Sequence, residues 1–430
     1  MNNYSRYFRR FDMFVRLLAA ALFALLGVSP DVLALQPAPV SVPELVDGPT
    51  LDAQLIKLKT RADAILAEDG GVHPLLKRYL DDLQALDARE CARIVKAKGD
   101  TRACWSYLAR HLANLDDDGG RWQTYADRKK SLIFGFETSK GDGPQTYRVL
   151  IPKGDAPAKG FSLIVYLHGA GGPEEMRFAW SGFISANAAA VAGADGVTPI
   201  IIEPWGNKGF GADGGSDIYD AIADISKVFP VDADHIYLAG HSAGGHGVWL
   251  QAIYRPDIWA AVAPLSAPGH VGPVENLTGL PVRIWHGDAD PRVNVNNSRD
   301  MAAAMEKLGM KPELVIGKGA NHSIPDTEQA AIFTWLLTHT RTRPNPIIFN
   351  AIGRFNTRNG VTLHGVDGAA LHVVCTIDGH TVTVTSTGVT SIDIDLTATG
   401  LGFADADPVT ILWNGRQVYQ APAKKVTFTL

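Results

Sequence analysis

The stretch LAGHSAGGHGVWL, residues 238–250, places Ser242 between glycines at positions 240 and 244. Because glycine has no side chain, the backbone can turn sharply here and leave the serine hydroxyl clear of its neighbours. A serine that only packs or caps a helix does not need such neighbours, whereas a nucleophile on a tight turn does. The stretch therefore predicts a nucleophilic serine, whose partners must lie elsewhere in the chain.

Residues 121–343 around this stretch alternate apolar runs with amphipathic segments. The runs FSLIVYLHG (161–169), HIYLAGHS (235–242) and VRIWHG (282–287) predict buried strands, and SRDMAAAMEKLG (298–309) predicts a helix. Strands that alternate with helices are typical of a mostly parallel sheet with helices on both faces. Ligands bind such sheets beyond the carboxyl ends of the strands, so a site is expected at this edge.

Polar motifs follow the predicted strands at that edge. HGAGG (168–172) follows one strand, the Ser242 turn follows another, and HGDADPRV (286–293) and GKGANHS (317–323) follow later ones. A G-x-S-x-G turn, then an acid, then a histidine, with a glycine-rich loop upstream, resembles the α/β-hydrolase superfamily. The resemblance covers about residues 121–343 and implies acyl transfer by a catalytic triad.

The resemblance implies roles for three side chains. Ser242 would be the nucleophile, and His322 the general base that takes its proton and later returns it to the leaving group. Asp290 would be the acid that orients His322, because it ends the H-G-x-x-D motif that begins at His286. Asp288 is the alternative acid in the same turn.

Other residues are expected to surround this triad. The backbone N–H groups of Ala243 and Ala170 would form the oxyanion hole, which binds the negative charge of the tetrahedral intermediate. Trp205, on a loop after a strand, and His246, one helical turn after the nucleophile, are predicted to contact substrate, with a packing role in the core as the alternative for each.

Two further histidines, His241 and His286, flank the catalytic positions. They are interpreted as packing or hydrogen-bonding residues of the elbow and the turn. No metal and no organic cofactor is expected, because a serine triad needs only its side chains and bound water.

The first 34 residues predict a signal peptide. Four arginines precede the apolar run LLAAALFALLGV (17–28), which is too short to span a bilayer, and Val32 and Ala34 match a cleavage site after Ala34. The mature protein is therefore expected to be secreted or periplasmic, with no membrane span. Its formal net charge, about −7 after cleavage compared with −5 before, gives no reason to expect nucleic acid as a partner.

Residues 35–120 show helical periodicity and predict a helical N-terminal segment. Cys91 and Cys104 lie in this segment, and export would permit a disulfide between them, although their spacing leaves the pairing open. The third cysteine, Cys375, alternates with its neighbours in a strand pattern and is predicted to be a small buried side chain.

Residues 344–430 follow a short linker, RTRPNP (341–346), and have the alternation of short antiparallel strands. Asp378-Gly379 and Asn414-Gly415 between alternating runs predict hairpins. A small β-sandwich is expected, which packs on the hydrolase or binds polymer. The overall plan resembles exported esterases of the polyhydroxybutyrate-depolymerase-like or prolyl-oligopeptidase-family type.

The predicted activity is hydrolysis of carboxylic esters, of acetyl, feruloyl or polyester type, in a small-molecule or polymeric substrate. A prolyl-oligopeptidase-family serine peptidase is the alternative, although residues 35–118 lack the 40–50-residue repeats of a β-propeller. A binding protein that only retains the fold is a third possibility, against which the complete set of triad residues argues.

Overall fold

A computed structural model describes residues 56, 60, 132–137, 139, 144–150, 152, 156–169, 184, 188, 190–204, 210–211, 215–227, 229–270 and 272–429. The predicted signal peptide and the helical segment, apart from residues 56 and 60, lie outside the described residues, and so do Cys91 and Cys104. The described residues belong to one compact unit, Gly48–Leu430.

The first sheet has eight strands in the order β1-β2-β4-β3-β5-β6-β7-β8. Strands β3 to β8 run parallel, while β1 and β2 pair antiparallel at one edge. The strands are β1 (Leu132–Glu137), β2 (Pro144–Leu150), β3 (Phe161–Leu167), β4 (Ile200–Pro204), β5 (Val231–His241), β6 (Ala261–Leu265), β7 (Arg283–Gly287) and β8 (Glu313–Gly317).

Burial of both faces explains why the central strands read as continuous apolar runs. Every residue of β4 and β6 is buried, and β3 has a single half-buried position. This mostly parallel sheet is the one that the sequence predicts. The edge strand β1 was not identified from the sequence.

Four α-helices and one 3-10 helix, Val274–Leu277, accompany this sheet in the described residues. The helices are α1 (Gly215–Ile225), α2 (Ala243–Tyr254), α3 (Asn296–Lys307) and α4 (Asp326–Leu336). The sequence predicts α3 to within two residues at either end. Helix α4 packs on the sheet through Phe333, whose ring lies 6.1 Å from that of Tyr166 on β3, and both side chains belong to one apolar cluster that also holds Trp285 of β7.

Two smaller sheets follow in the C-terminal region. One has the order β10-β11-β14-β17 and the other β16-β15-β13-β12-β9. Their strands are β9 (Ile347–Asn350), β10 (Thr357–Arg358), β11 (Val361–Gly365), β12 (His372–Asp378), β13 (Thr381–Thr387), β14 (Val389–Asp395), β15 (Pro408–Trp413), β16 (Arg416–Pro422) and β17 (Lys425–Thr429). The two predicted hairpin turns join β12 to β13 and β15 to β16.

Alternate residues of both small sheets enter one buried cluster, which includes Val373, Val384, Ile392 and Trp413. Cys375 is a fully buried free thiol in this cluster, as its position in the alternation predicts. Burial raises the pKa of its thiol to about 12, so it stays protonated at neutral pH.

One pairing differs from the expected antiparallel pattern. Strand β15 pairs parallel with β13, with Thr381 opposite Thr410. After β13 the chain crosses to the other sheet as β14 and then returns, so β15 enters beside β13 in the same direction. A crossover of this kind leaves no signal in the alternation of the individual strands.

Polar contacts join the C-terminal sheets to the 3-10 helix 274–277. Asn276 Nδ2 donates to the Asn350 carbonyl at 3.1 Å, and Asn350 N donates back to Asn276 Oδ1 at 2.8 Å. The buried Arg358 guanidinium donates to the carbonyls of Asn276 at 2.7 Å and Thr278 at 3.2 Å. These bonds fix the C-terminal sheets against the larger α/β layer.

Residues of the predicted linker also bond to structure on either side. Arg341 donates to Asp234 Oδ1 at 2.8 Å and to the Asp257 carbonyl at 3.0 Å, while Arg343 donates to the Gly400 carbonyl at 3.0 Å. Within the described part of the chain, none of the helices has the length and apolar character needed to span a bilayer.

Candidate active site

The turn between β5 and α2 holds Ser242 in a strained backbone conformation, with φ 57° and ψ −117°. A positive φ is costly for a residue with a side chain, typically about 1–3 kcal/mol, and such strain concentrates at functional sites. The Ser242 N–H donates to the Leu265 carbonyl at 2.8 Å, and its own carbonyl accepts from His246 N at 3.0 Å. These bonds help to hold the turn in place.

The glycines around Ser242 are required by close backbone approach. A Cβ on Gly244 would lie 2.0 Å from the Leu167 carbonyl oxygen and 2.4 Å from that of His168. A Cβ on Gly240 would lie 2.7 Å from the backbone of Gly244. The start of α2 thus passes directly against the end of β3, and no larger residue fits without moving it.

Gly169, at the start of the glycine-rich loop after β3, lies beside the serine. A Cβ on Gly169 would be 3.5 Å from Ser242 Cβ, so the start of this loop borders the nucleophile position. Ala243 is the first residue of α2, and N–H groups of the first helical turn have no partner within the helix. Ala170, the other predicted oxyanion donor, lies outside the described residues.

The turn after β7 presents Asp290, whose side chain is fully buried. Its Oδ1 accepts from the backbone N–H groups of Arg292 at 2.8 Å and Val293 at 3.0 Å, and its Oδ2 accepts from His322 Nδ1 at 2.7 Å. Burial by itself raises the pKa of this carboxyl, but the bonds from His322 and the two N–H groups outweigh it and hold the pKa below its ordinary value. Asp290 is therefore a carboxylate at neutral pH.

The loop after β8 presents His322, with its side chain 12% exposed. Because Nδ1 donates to Asp290, the neutral ring keeps its lone pair on Nε2, where it can take a proton. His241, which precedes Ser242, is bonded to this loop. Its Nε2 donates to the His322 carbonyl at 2.7 Å, and the centroids of the two rings lie 4.7 Å apart. The base therefore lies next to the elbow.

The alternative acid has another contact. Asp288 is exposed, and its Oδ1 accepts from the backbone N–H of Gly319 at 2.6 Å. It links the turn after β7 to the turn after β8, whereas Asp290 contacts the imidazole. This geometry favours Asp290 over Asp288, as the motif spacing predicts.

Of the two residues predicted to contact substrate, only His246 lies in the described part of the chain. His246 is half-buried on α2, and its ring packs edge-on against that of His270 at 5.7 Å. Burial lowers the pKa of both imidazoles, which keeps them neutral at pH 7. The sequence analysis missed His270, although its place after β6 was a usable signal. Trp205 lies outside the described residues.

The carboxyl edge of the sheet brings together Ser242, on a strained turn, and His322. The His322 ring donates from Nδ1 to the buried Asp290 carboxylate and carries a lone pair on Nε2. Such a set can activate a hydroxyl for attack on a carbonyl carbon. Within the described ranges, no group of three or more His, Cys, Asp or Glu side chains is arranged to hold a metal ion.

Comparisons with known proteins give short, partial matches. A proposed esterase of Nocardia uniformis subsp. tsuyamanensis, NocK, is 32% identical over 184 residues, which cover 39% of this chain and 52% of NocK. An uncharacterised secreted protein of Arthroderma benhamiae is 28% identical over 202 residues, which cover 37% of this chain and 21% of that protein. The chain thus spans about half or less of the length of these relatives.

Among solved structures, a thermostable esterase is 22% identical with a TM-score of 0.39, covering 49% of this chain and 63% of its own. No family model matches the chain. The mostly parallel sheet, the Ser242 turn after β5 and the order serine, acid, histidine after β5, β7 and β8 match the arrangement expected of an α/β-hydrolase.

Proposed function

We propose that this chain is an exported serine hydrolase that cleaves carboxylic esters through Ser242, His322 and Asp290. The observation that carries the proposal is the pairing of a strained serine elbow with an Asp290–His322 hydrogen bond of 2.7 Å beside it. A positive φ together with glycines packed against the end of β3 is what a nucleophile on a tight turn requires. The partial similarity to the proposed esterase NocK supports the same reaction class.

In the proposed mechanism, Ser242 Oγ attacks the ester carbonyl carbon while His322 Nε2 takes the hydroxyl proton. The carbonyl oxygen becomes an oxyanion, which the N–H groups of Ala243 and Ala170 stabilise; each such donor is worth about 3–4 kcal/mol in related sites. The C–O bond to the alcohol then breaks, and the alcohol leaves with the proton from His322. An acyl group remains on Ser242.

Water completes the cycle. His322 takes a proton from a water molecule, whose oxygen attacks the acyl carbon, and the carboxylic acid leaves as Ser242 regains its proton. Asp290 stays a carboxylate throughout, since its hydrogen bonds hold its pKa low. Its charge stabilises the imidazolium that forms in both halves of the reaction.

We assign the remaining regions to export and support. Residues 1–34 act as a signal peptide cut after Ala34, which delivers the mature protein to the periplasm or the exterior, and 35–120 form the helical N-terminal segment. Residues 121–343 form the catalytic domain. The two sheets of 344–430 form an accessory β-sandwich, which packs on the catalytic domain through Asn276, Asn350 and Arg358. Within the catalytic domain, His246 and Trp205 contact substrate.

The test compares ester and amide substrates. The purified mature protein and its Ser242→Ala variant are assayed with p-nitrophenyl acetate, a feruloyl ester and a proline-containing anilide. The proposal expects ester turnover that the variant abolishes while its circular dichroism stays unchanged. Faster cleavage of the anilide than of both esters identifies the peptidase alternative instead. Turnover by Ser242→Ala within tenfold of the parent would place the chemistry on another residue.

A further inference from the structure

Two histidines outside the triad contact its base and its acid. His286 is completely buried at the end of β7, and His241 immediately precedes the nucleophile at the end of β5. From residue type alone both are ordinary packing residues. Their hydrogen bonds connect them to the segments that carry the base and the acid.

The His286 ring has a defined tautomer. Its Nε2 lies 2.9 Å from the Val293 carbonyl, which can only accept, so Nε2 carries the proton. In the neutral ring, Nδ1, 2.7 Å from Ser298 Oγ on α3, then accepts the hydroxyl proton. The same Nε2 lies 3.2 Å from Asp290 Oδ2, the oxygen that binds His322. The ring therefore donates its N–H to Val293, whose own N–H donates to Asp290 Oδ1 at 3.0 Å, and it lies in close contact with the carboxylate.

The Asp290 carboxylate is consequently fixed at both oxygens. Backbone N–H groups hold Oδ1, His322 Nδ1 donates to Oδ2, and His286 Nε2 lies 3.2 Å from Oδ2. A carboxylate held in this way keeps one orientation toward the base, since rotation would break several charge-assisted bonds.

His241 holds the base through its main chain. Its Nε2 donates to the His322 carbonyl at 2.7 Å, and its Nδ1 would be 3.4 Å from a Cβ on Gly169 in the glycine-rich loop. Burial lowers the pKa of His241 to about 4, so the ring is neutral at working pH. A neutral neighbour matters, because a second charge 4.7 Å from the His322 ring would oppose formation of the imidazolium.

We propose that His241 and His286 are positioning residues of the catalytic triad, which hold the His322 backbone and the Asp290 carboxylate in the geometry needed for proton transfer. The inference rests on the proposed function. It adds that His241 is hydrogen-bonded to the backbone of the base, and that His286 is hydrogen-bonded to the turn that carries the acid and contacts its carboxylate. Loss of either contact should slow the chemical step and leave substrate binding unchanged.

The test uses paired substitutions. His286→Phe and His241→Phe remove the N–H donors, whereas His286→Gln and His241→Gln retain an amide N–H at similar reach. Removal of a side chain that orients a reacting residue typically lowers activity by about 10–100-fold. The kcat for p-nitrophenyl acetate should therefore fall by that factor in the Phe variants, with little change in KM. The Gln variants should recover much of the loss.

His235→Phe is the matched control, because His235 lies on the same strand β5, bonded to Asp232 at 2.9 Å and Thr340 at 3.1 Å. It should reduce stability without changing kcat. Proton NMR gives a second readout: the deshielded Nδ1 proton of His322, bound to Asp290, should shift or broaden in the His286 variants. Ser298→Ala should show the same NMR change at smaller amplitude, which covers the case in which His286→Phe does not fold.

The outcomes separate the two proposals. If the parent protein hydrolyses none of the esters, the proposed function fails and this inference fails with it. If the parent is active but the Phe variants match His235→Phe in kcat and leave the His322 proton unchanged, the histidines are only structural and the positioning role is overturned. A kcat loss with constant KM, recovered in the Gln variants, supports it.

Discussion

The loops at the carboxyl ends of β5, β7 and β8 and the pair of C-terminal sheets bury opposite kinds of side chain. The loops bury hydrogen-bonded polar groups, including Asp290 and His286, and hold Ser242 at a positive φ. The C-terminal sheets bury an apolar cluster with alternating strands and a protonated thiol at Cys375. This contrast predicts that substitutions in the loops change the rate of ester hydrolysis, whereas substitutions in the C-terminal sheets change the free energy of unfolding.

The largest effect is expected from Asp290→Asn. The change removes the charge that orients His322 and stabilises its imidazolium, and the corresponding substitution in a well-studied triad lowers kcat by about 10⁴. Asp288→Asn is the matched control in the same turn, because Asp288 bonds Gly319 N instead of the imidazole. Steady-state kcat on p-nitrophenyl acetate distinguishes them. A greater loss in Asp288→Asn would mean that the acid is misassigned.

Gly244→Ala should come next. Its Cβ would lie 2.0 Å from the Leu167 carbonyl oxygen, so the start of α2 must move and carry Ser242 with it. Displacement of a reacting group by about 1 Å can cost about 10²-fold in rate, and forced overpacking costs about 1–3 kcal/mol of stability. We expect kcat to fall at least 10²-fold with a lower urea midpoint. Unchanged kinetics would show that the elbow tolerates a wider turn.

In the C-terminal region, Arg358→Met should lower stability but not activity. The buried guanidinium donates to the carbonyls of Asn276, Ile348 and Thr278, which would lose their partner. Burial lowers the pKa of Arg358 to about 10. The cost of burying this charge therefore offsets part of the stability that its hydrogen bonds contribute. We expect a net loss of about 2–3 kcal/mol in urea unfolding with kcat per folded molecule unchanged.

The exposed Arg416, on β16, supplies the control for that experiment. Arg416→Met should change the unfolding free energy by no more than about 0.5 kcal/mol. If Arg358→Met lowers kcat without lowering stability, the C-terminal sheets contribute to the active site and the contrast between the regions fails.

The smallest effect is expected from Gly415→Ala. Gly415 has φ 82° in the turn between β15 and β16, and a Cβ there would meet no atom within 4 Å. Only backbone strain opposes the change, about 1 kcal/mol. Compared with Gly244→Ala, this variant should unfold slightly more easily and hydrolyse esters at the parent rate. A loss of several kcal/mol would mean that the turn is packed more closely than the structure shows.

Much of the fold follows from local patterns. Apolar runs predicted the parallel strands because both faces of the sheet are buried, and Asp378-Gly379 and Asn414-Gly415 predicted their hairpins because those turns require a positive φ. The spacing in H-G-x-x-D selected the aspartate that contacts His322. In each case one physical requirement lies within a few neighbouring residues.

The remainder depends on which distant segments meet. His241 and His322 are 81 residues apart in sequence, and nothing local to either predicts their bond. The parallel pairing of β15 with β13 and the bonds of Arg358 to the 3-10 helix are likewise products of chain path. His286 differs, because it lies only four residues before Asp290 and a local motif brings the two side chains together.

The central claim, that Ser242 is the nucleophile, is tested most directly by covalent labelling. The folded protein is treated with a fluorophosphonate, which reacts with activated serines, and the adduct is located by peptide mass spectrometry. The account predicts one adduct, on the peptide that contains Ser242, absent in Ser242→Ala and formed far more slowly in Asp290→Asn. An adduct on a different residue, or equal labelling of Ser242→Ala, would contradict it.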